Sequence, residues 1–211
     1  MVDRPFPPRL DDEEEEEEEE RPEKEKKEEL GPQIGNILFK NRTVLLFGEI
    51  NMKLAQGISA QLLALAAEDE KKPIRLVINS PGGHVEAGDT IHDMIRFIGA
   101  TVQVIGTGWV ASAGAHIYLG AKKENRLCLP NTRFLLHQPM GGAGGRAVDI
   151  DIEAREIIKM RRRLNEIIAR ETGQPLEKVE RDTDRNYWMS AEEAKDYGLV
   201  GKIISSMKDV G

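Results

Sequence analysis

Ile74 to Gly106 reads IRLVINSPGGHVEAGDTIHDMIRFIGATVQVIG, and its internal alternation decides the fold. IRLVIN is a short apolar run that suits a buried strand, and the SPGG after it is turn chemistry. Glu86 to Ile98 then predicts a helix, with Ile91, Ile95 and Ile98 on one stripe, before TVQVIG returns to strand. A strand, a helix of this length and a second strand imply a parallel crossover, so loops after successive strands leave the sheet at one edge. The cycle extends both ways. Upstream, TVLLFGEI predicts a buried strand and Lys53 to Asp69 a helix. Downstream, Ser112 to Leu119 predicts a short helix, followed by short strands around Leu127 and Phe134 and a glycine-rich GGAGGR. A long charged helix from about Asp149 to Glu171 and two short helices near Leu176 and Ala191 complete the pattern, with no repeat of fixed period.

The regular pattern begins at about Ile34. Residues 1–33 hold fifteen acidic and six basic residues, so the net charge of −7 belongs to a tail, and the remainder, with twenty-two acids against twenty-four bases, is slightly basic. Eight consecutive glutamates, Glu13 to Glu20, repel one another and have almost nothing to bury, which predicts a disordered segment. Such a tail is either plain solvated chain or an electrostatic gate that attracts basic partners. Its sign disfavours nucleic acid. The other residues suit one domain with a sizeable core. No apolar run approaches the ~20 residues of a membrane span, and the N-terminus is acidic where a secretory signal would be basic and then apolar. A cytoplasmic protein without membrane contact is expected. Cys128, the single cysteine, lies among apolar neighbours in RLCLP, which excludes an internal disulfide and predicts an inert packed residue.

The chemistry is concentrated where the crossovers bring SPGG beside GWVASAGAHIYLGA. A serine hydroxyl is a poor nucleophile until a base accepts its proton, and Ser112 at the start of a helix lies near the positive end of the dipole. Its neighbours Ala111, Ala113, Gly114 and Ala115 are small, which would let a substrate backbone come close and leave the Ala113 N–H uncovered. Gly83 could supply a second donor to an oxyanion. Two histidines compete for the base. His116 lies four residues after Ser112 on one helix face, about 5–6 Å away between Cβ atoms. His137 ends the strand FLLH, where a ring could reach the sheet edge. His84 and His92 read as capping or solvated residues. Spacing alone does not separate His116 from His137.

Several motifs, INSPGG, ASAGA, LPNTRFLLHQPMGG, DIDIEAREI and TGQPLEKVERDTDR followed by MSAEEAKDYGLV, resemble the proteolytic subunit of the Clp protease, ClpP, in order and in mutual spacing. The resemblance spans roughly residues 34–204. It implies an α/β, crotonase-like spiral of ββα units with a protruding handle helix: a head of about 34–136 and 173–204, and a handle of about 138–172, within a peptidase domain of 34–211. It further implies Ser112 as nucleophile, His137 as base, Gly83 and Ala113 as oxyanion donors, and Gly141, Gly142, Ala143 and Gly144 as a glycine-rich strand against bound peptide. Asp184 and Arg185 match a pair that joins subunits across two stacked seven-membered rings. An ATP-driven AAA+ Clp unfoldase would deliver unfolded protein substrates, so ATP would bind that partner, and no cofactor or metal is expected on this chain.

The chain departs from the family at the third triad position, where Asn186 replaces an aspartate after Arg185. An aspartate fixes the imidazole tautomer and stabilises the imidazolium, whereas an amide oxygen only accepts a hydrogen bond, so activity should fall. In the serine-protease triad the same exchange costs about 10⁴-fold, although an amide turned the other way would do less harm, and cysteine proteases work with Cys-His-Asn. Asp182 and Asp184 are nearby substitute acids. The family's docking clefts also draw aromatics from the strand before NSPGG, where this chain has Arg75 and Val77, leaving Phe97. The alternative to an independent serine endopeptidase is therefore a weakly active paralogue that shares a mixed ring with a second ClpP. A crotonase-type acyl-thioester enzyme, using the backbone donors without a Ser-His pair, is the third reading.

Overall fold

The computed structural model describes residues 31–142 and 144–210. The expected acidic tail, except for Gly31, Pro32 and Gln33, and the glycine-segment position Ala143 lie outside the described residues. Pro32 and Gln33, assigned to the tail by sequence, open the first helix, α1 (Pro32–Lys40), which the sequence pattern did not reveal.

Five strands form a continuous parallel sheet in the order β1 (Thr43–Phe47), β2 (Ile74–Ser80), β3 (Val102–Ala111), β4 (Arg126–Cys128) and β7 (Lys202–Ile203). Two more lie further along the edge of β3 that β4 occupies: β5 (Arg133–Leu136) runs parallel to the last residues of β3, and β6 (Tyr187–Met189) runs antiparallel to β5. The three helices expected between the first strands are α2 (Met52–Glu68), α3 (Val85–Phe97) and α4 (Ala113–Tyr118), each within a residue of its predicted limits. The long charged helix is α5 (Ala147–Thr172), and α6 (Leu176–Asp182) and α7 (Ala191–Tyr197) are the two short ones. Sequence reading missed β6 and β7, which are three and two residues long and too short to show a period.

Alternation along the strands explains the layers. In β2, Ile74, Leu76 and Ile78 are fully buried beneath the helices, as are Val44 and Leu46 of β1 and Val104 of β3. The helices meet them at helical spacing: Ala55, Ile58, Leu62 and Leu65 of α2 and Ala87, Ile91 and Ile95 of α3 are buried. Each fully buried Leu or Ile contributes about 1.5–3 kcal/mol relative to exposure. Residues one step out of phase, Val77, Ile105 and Leu127, form a smaller cluster with Ile204 and Val210 on the other face. Helix α2 starts at Asn51, whose side chain accepts the Leu54 N–H at 2.9 Å, and α5 stops at Gly173, at φ 77°.

The buried residues of α5, Asn165, Ile168 and Thr172, all fall in its last third. Its first half carries Val148, Ile150, Ile152 and Ile158 exposed. A helix that long with one end packed and apolar side chains on the other is shaped to meet another surface.

Cys128 is fully buried in β4, and burial pushes its thiol up to about 12. The thiolate is the reactive form. Iodoacetamide at about pH 8 is therefore expected to leave the native protein unalkylated and to add one carbamidomethyl group once urea unfolds it, as counted by intact mass. Rapid native labelling would contradict this burial.

Candidate active site

Strand register brings the site together. Ala111 of β3 pairs with Leu135 of β5, so Ser112 and His137 leave the carboxyl ends of two adjacent parallel strands. Leu136 of β5 pairs with Tyr187 of β6, and one further step of the same antiparallel register sets His137 opposite Asn186. Three neighbouring strand ends thus bear Ser112, His137 and Asn186 in that order. Ser112 and His137 line one cavity of about 30 Å³, and His137 and Asn186 line a neighbouring open cleft of about 600 Å³. His137 stands between the two. A hydrogen bond from Ser112 to His137, or from His137 to Asn186, is not among those described; such contacts often tighten only when substrate binds.

Ser112 precedes α4 instead of lying within its first turn, at φ 55° and ψ −120°. For a residue with a Cβ this is a strained conformation, costing about 1–3 kcal/mol, and it persists only where the surroundings over-determine it. Here the Ser112 N–H donates to the Leu135 carbonyl at 2.9 Å, and its own carbonyl accepts the His116 N–H at 3.1 Å. The side chain makes no cap hydrogen bond to its own helix. Gly82 lies against it, where an added Cβ would come within 2.6 Å of the Ser112 Cβ. The sequence motif SPGG is therefore packed directly beneath the elbow that bears the hydroxyl.

Gly83 forms a parallel bridge with Ile50, in which the Ile50 N–H donates to Gly82 and the His84 N–H to Ile50, each at 2.8 Å. In that pattern the N–H of Gly83 itself faces away from Ile50. Among the described hydrogen bonds neither the Gly83 nor the Ala113 N–H has an acceptor, and Ala113, as the first residue of α4, has no partner within its helix. The two donors can serve a developing oxyanion. Ala111, Ala113 and Ala115 are buried, and a Cβ on Gly114 would touch Ser80. The absence of a side chain at Gly114 lets α4 lie close on the end of β2.

The four histidines separate clearly. His116 is 7% exposed, and its Nε2 is 2.8 Å from Asp89 Oδ1, so its proton-bearing nitrogen is committed away from Ser112. His92, expected to be solvated or capping, is instead buried and stacked on His116, ring centroids 4.4 Å apart. Burial, helped by the neighbouring His116, holds His92 below the usual imidazole range. His84 is the exposed N-cap of α3, 3.1 Å from Glu86. His137 alone is half-buried beside Ser112 with its flanks pinned: the Gln138 N–H donates to Thr183 and its side-chain amide to the Asp184 carbonyl, both at 2.7 Å.

Neither substitute acid serves His137 among the described contacts. Asp182 accepts Lys178 at 2.6 Å and the Tyr197 hydroxyl at 2.9 Å. Asp184 accepts Arg161 at 3.1 Å, within the chain, while Arg185 and Asn186 are exposed along the cleft. Gly141 lines the same cleft against Ile157, but Gly141, Gly142 and Gly144 belong to no strand, contrary to the expected glycine-rich strand. Sequence reading also missed Asp89 and Arg163, whose carboxylate and guanidinium meet at 2.6 Å beside the site, because they are 74 positions apart and fit no motif.

A model of the Clp protease family matches residues 26–207. The chain is 62% identical over 181 residues to ATP-dependent Clp protease proteolytic subunit 3 of Rhizobium etli, covering 86% of this chain and 93% of that protein. It is 59% identical over 213 residues to proteolytic subunit 2 of Gluconobacter oxydans, covering 99% and 95%. Among solved structures, an Asn-to-Asp mutant of ClpP1 from Listeria monocytogenes matches at a TM-score of 0.79 and 55% identity, over 84% of this chain and 99% of that one.

A Cβ on Gly83 would run into the Ile50 backbone, and its φ of 147° disfavours any side chain. Gly83→Ala is expected to displace this N–H and lower kcat by about 10²–10³-fold while KM changes little, the usual cost of one oxyanion donor. Peptide-hydrolysis kinetics on the folded variant check this; an unchanged kcat would remove Gly83 from the site.

Proposed function

Because the chain belongs to the Clp protease family and is a serine peptidase of the proteolytic-subunit type, we propose that Ser112, His137 and Asn186 carry its chemistry. Ser112 Oγ attacks the scissile carbonyl as His137 takes its proton; the oxyanion is held by the N–H groups of Gly83 and Ala113; the protonated ring then delivers that proton to the leaving amine. Water, activated by the same imidazole, hydrolyses the acyl-enzyme. Asn186 accepts the other ring N–H and orients the imidazole without charge. The observation that carries this reading is the shared β3–β5–β6 register, which sets the three residues at successive strand ends.

Substrate is an unfolded chain lying along the open cleft past Gly141, Gly142 and Gly144, where backbone hydrogen bonding would tolerate many side chains. The exposed first half of α5 supports assembly with further copies into two stacked seven-membered rings, with Asp184 and Arg185 near that contact. An AAA+ Clp unfoldase spends ATP to feed the chamber, and this chain needs no cofactor or metal of its own. Phe97, 77% exposed, is the aromatic left for docking, since Val77 is partly covered and Arg75 half-buried. No helix among the described residues is long and apolar enough to cross a membrane, and we place the protein in the cytoplasm. Asn186 favours one second reading, a weakly active subunit in a mixed ring with a typical ClpP.

The homo-oligomer is expected to cleave a short fluorogenic peptide, Ser112→Ala to abolish cleavage, and Asn186→Asp to raise kcat about tenfold, the effect of roughly 1.4 kcal/mol in the barrier. If neither the wild type nor Asn186→Asp cleaves or takes up a serine-directed phosphonate, the independent-peptidase reading fails. Native mass spectrometry of the same samples reports whether the assembly holds fourteen copies, as two seven-membered rings require.

A further inference from the structure

We propose that Asp89 is a positioning residue for this peptidase site, its one carboxylate holding together the three helices that wall the cavity beside Ser112. The inference rests on reading that cavity as the peptidase site. Asp89 Oδ1 meets His116 Nε2 of α4 at 2.8 Å, and Asp89 Oδ2 meets Arg163 Nη2 of α5 at 2.6 Å. Asp89 itself belongs to α3, one turn beyond Val85. The cavity is lined by Val85 from α3, His116 from α4, and Leu164 and Ile168 from α5, together with Ser112 and His137. Each helix that the carboxylate touches thus contributes a wall.

The clamp matters because α4 cannot hold itself. It is six residues long, well short of the length at which an isolated helix is stable, and it carries a strained residue at its entrance. The His116 N–H closes the hydrogen bond to the Ser112 carbonyl, so where His116 is held, the Ser112 carbonyl is held too. The described hydrogen bonds of the His116 side chain consist of the one to Asp89, since Nδ1 is buried without a partner. Arg163 carries the same constraint to α5, next to the wall residue Leu164. The C-terminal ends of α3 and α5 are fastened separately, by Arg96 and Glu171 at 2.6 Å. Burial raises the Asp89 carboxyl, but the hydrogen bonds from His116 and Arg163 outweigh it and leave the group below the usual carboxylate range, charged and able to hold both partners. Releasing it lets α4 and α5 shift, and a displacement on the order of 1 Å at a reacting group costs as much as 10²-fold in rate.

The test uses the full-length assembled protein and two readouts: the second-order rate of phosphonate labelling at Ser112, and kcat with KM on a fluorogenic peptide. Arg163→Gln and Asp89→Asn are each expected to slow labelling about tenfold and to lower kcat more than they raise KM, with ring assembly kept. The double variant should be no slower than the worse single one, since both remove one clamp, and Arg163→Lys should retain most of the rate. Arg163 is half-exposed, so its variants fold whatever becomes of Asp89→Asn. Labelling by Arg163→Gln within twofold of wild type overturns the proposal, as does a double variant whose losses multiply. Failure of the wild type and Asn186→Asp to label at all would instead sink the peptidase reading and this inference with it.

Discussion

The hydrogen-bond register between β3, β5 and β6 is the constraint from which the site follows. A strand fixes which residue emerges at its end, and a one-residue slip moves every side chain to the opposite face. With Val110 on Phe134 and Ala111 on Leu135, the chain turns out of the sheet at Ser112 while its neighbour emerges at His137. The antiparallel return through Phe134 on Met189 and Leu136 on Tyr187 then delivers Asn186. A slip on either side would carry the serine, the histidine and the amide away from neighbouring strand ends. The core locks the register, because Val110, Phe134 and Met189 are buried in one apolar cluster.

Register alone does not aim the hydroxyl; the backbone at Ser112 does. A strand that led straight into a helix would turn a capping serine back upon its own N–H groups. The positive φ prevents this and leaves the hydroxyl without a cap bond. Such strain requires tight surroundings, and small residues supply them: Gly82 against the Ser112 Cβ, Gly88 of α3 against Ala113, and Gly114 against Ser80. Glycine and alanine at these positions are what permits α3, α4 and the turn after β2 to close on one another. The uncovered N–H groups follow from the same closure, because a helix start and a one-residue bridge each leave a donor without a backbone partner.

Much of this was legible in the sequence, for identifiable reasons. Periodic segments such as Lys53 to Asp69 and IRLVIN bury one face or run wholly inside, so their helix or strand character shows in the side chains. Ser112 and Gly83 were readable because a parallel crossover returns successive loops to one edge. The choice between His137 and His116 was not readable from spacing, since both can reach the serine; it depends on Asp89, which engages His116 from 27 positions away. His92 was misjudged for the same reason, as its burial comes from a stack with His116 across two helices. Strands β6 and β7 were invisible because their identity comes from tertiary pairing, not from a local pattern.

On the proposed role of Asn186, an amide in place of a carboxylate weighs less here than in a buried triad. A charge at 4 Å from an imidazolium is worth about 1 kcal/mol in water and about 4 kcal/mol at the dielectric typical of a protein surface region. Asn186 is exposed on the subunit, at the rim of an open cleft, where solvent screening keeps that value near its lower end. What the position retains is orientation: an amide oxygen that accepts the imidazole N–H fixes the tautomer as a carboxylate would, provided the amide is turned that way. The backbone favours that role, since Asn186 continues the β6 register opposite His137 and its neighbour Tyr187 is already paired with Leu136. On that reading an amide at a solvated strand end forgoes mainly a screened Coulomb interaction, while the strand pairing that presents the side chain stays intact.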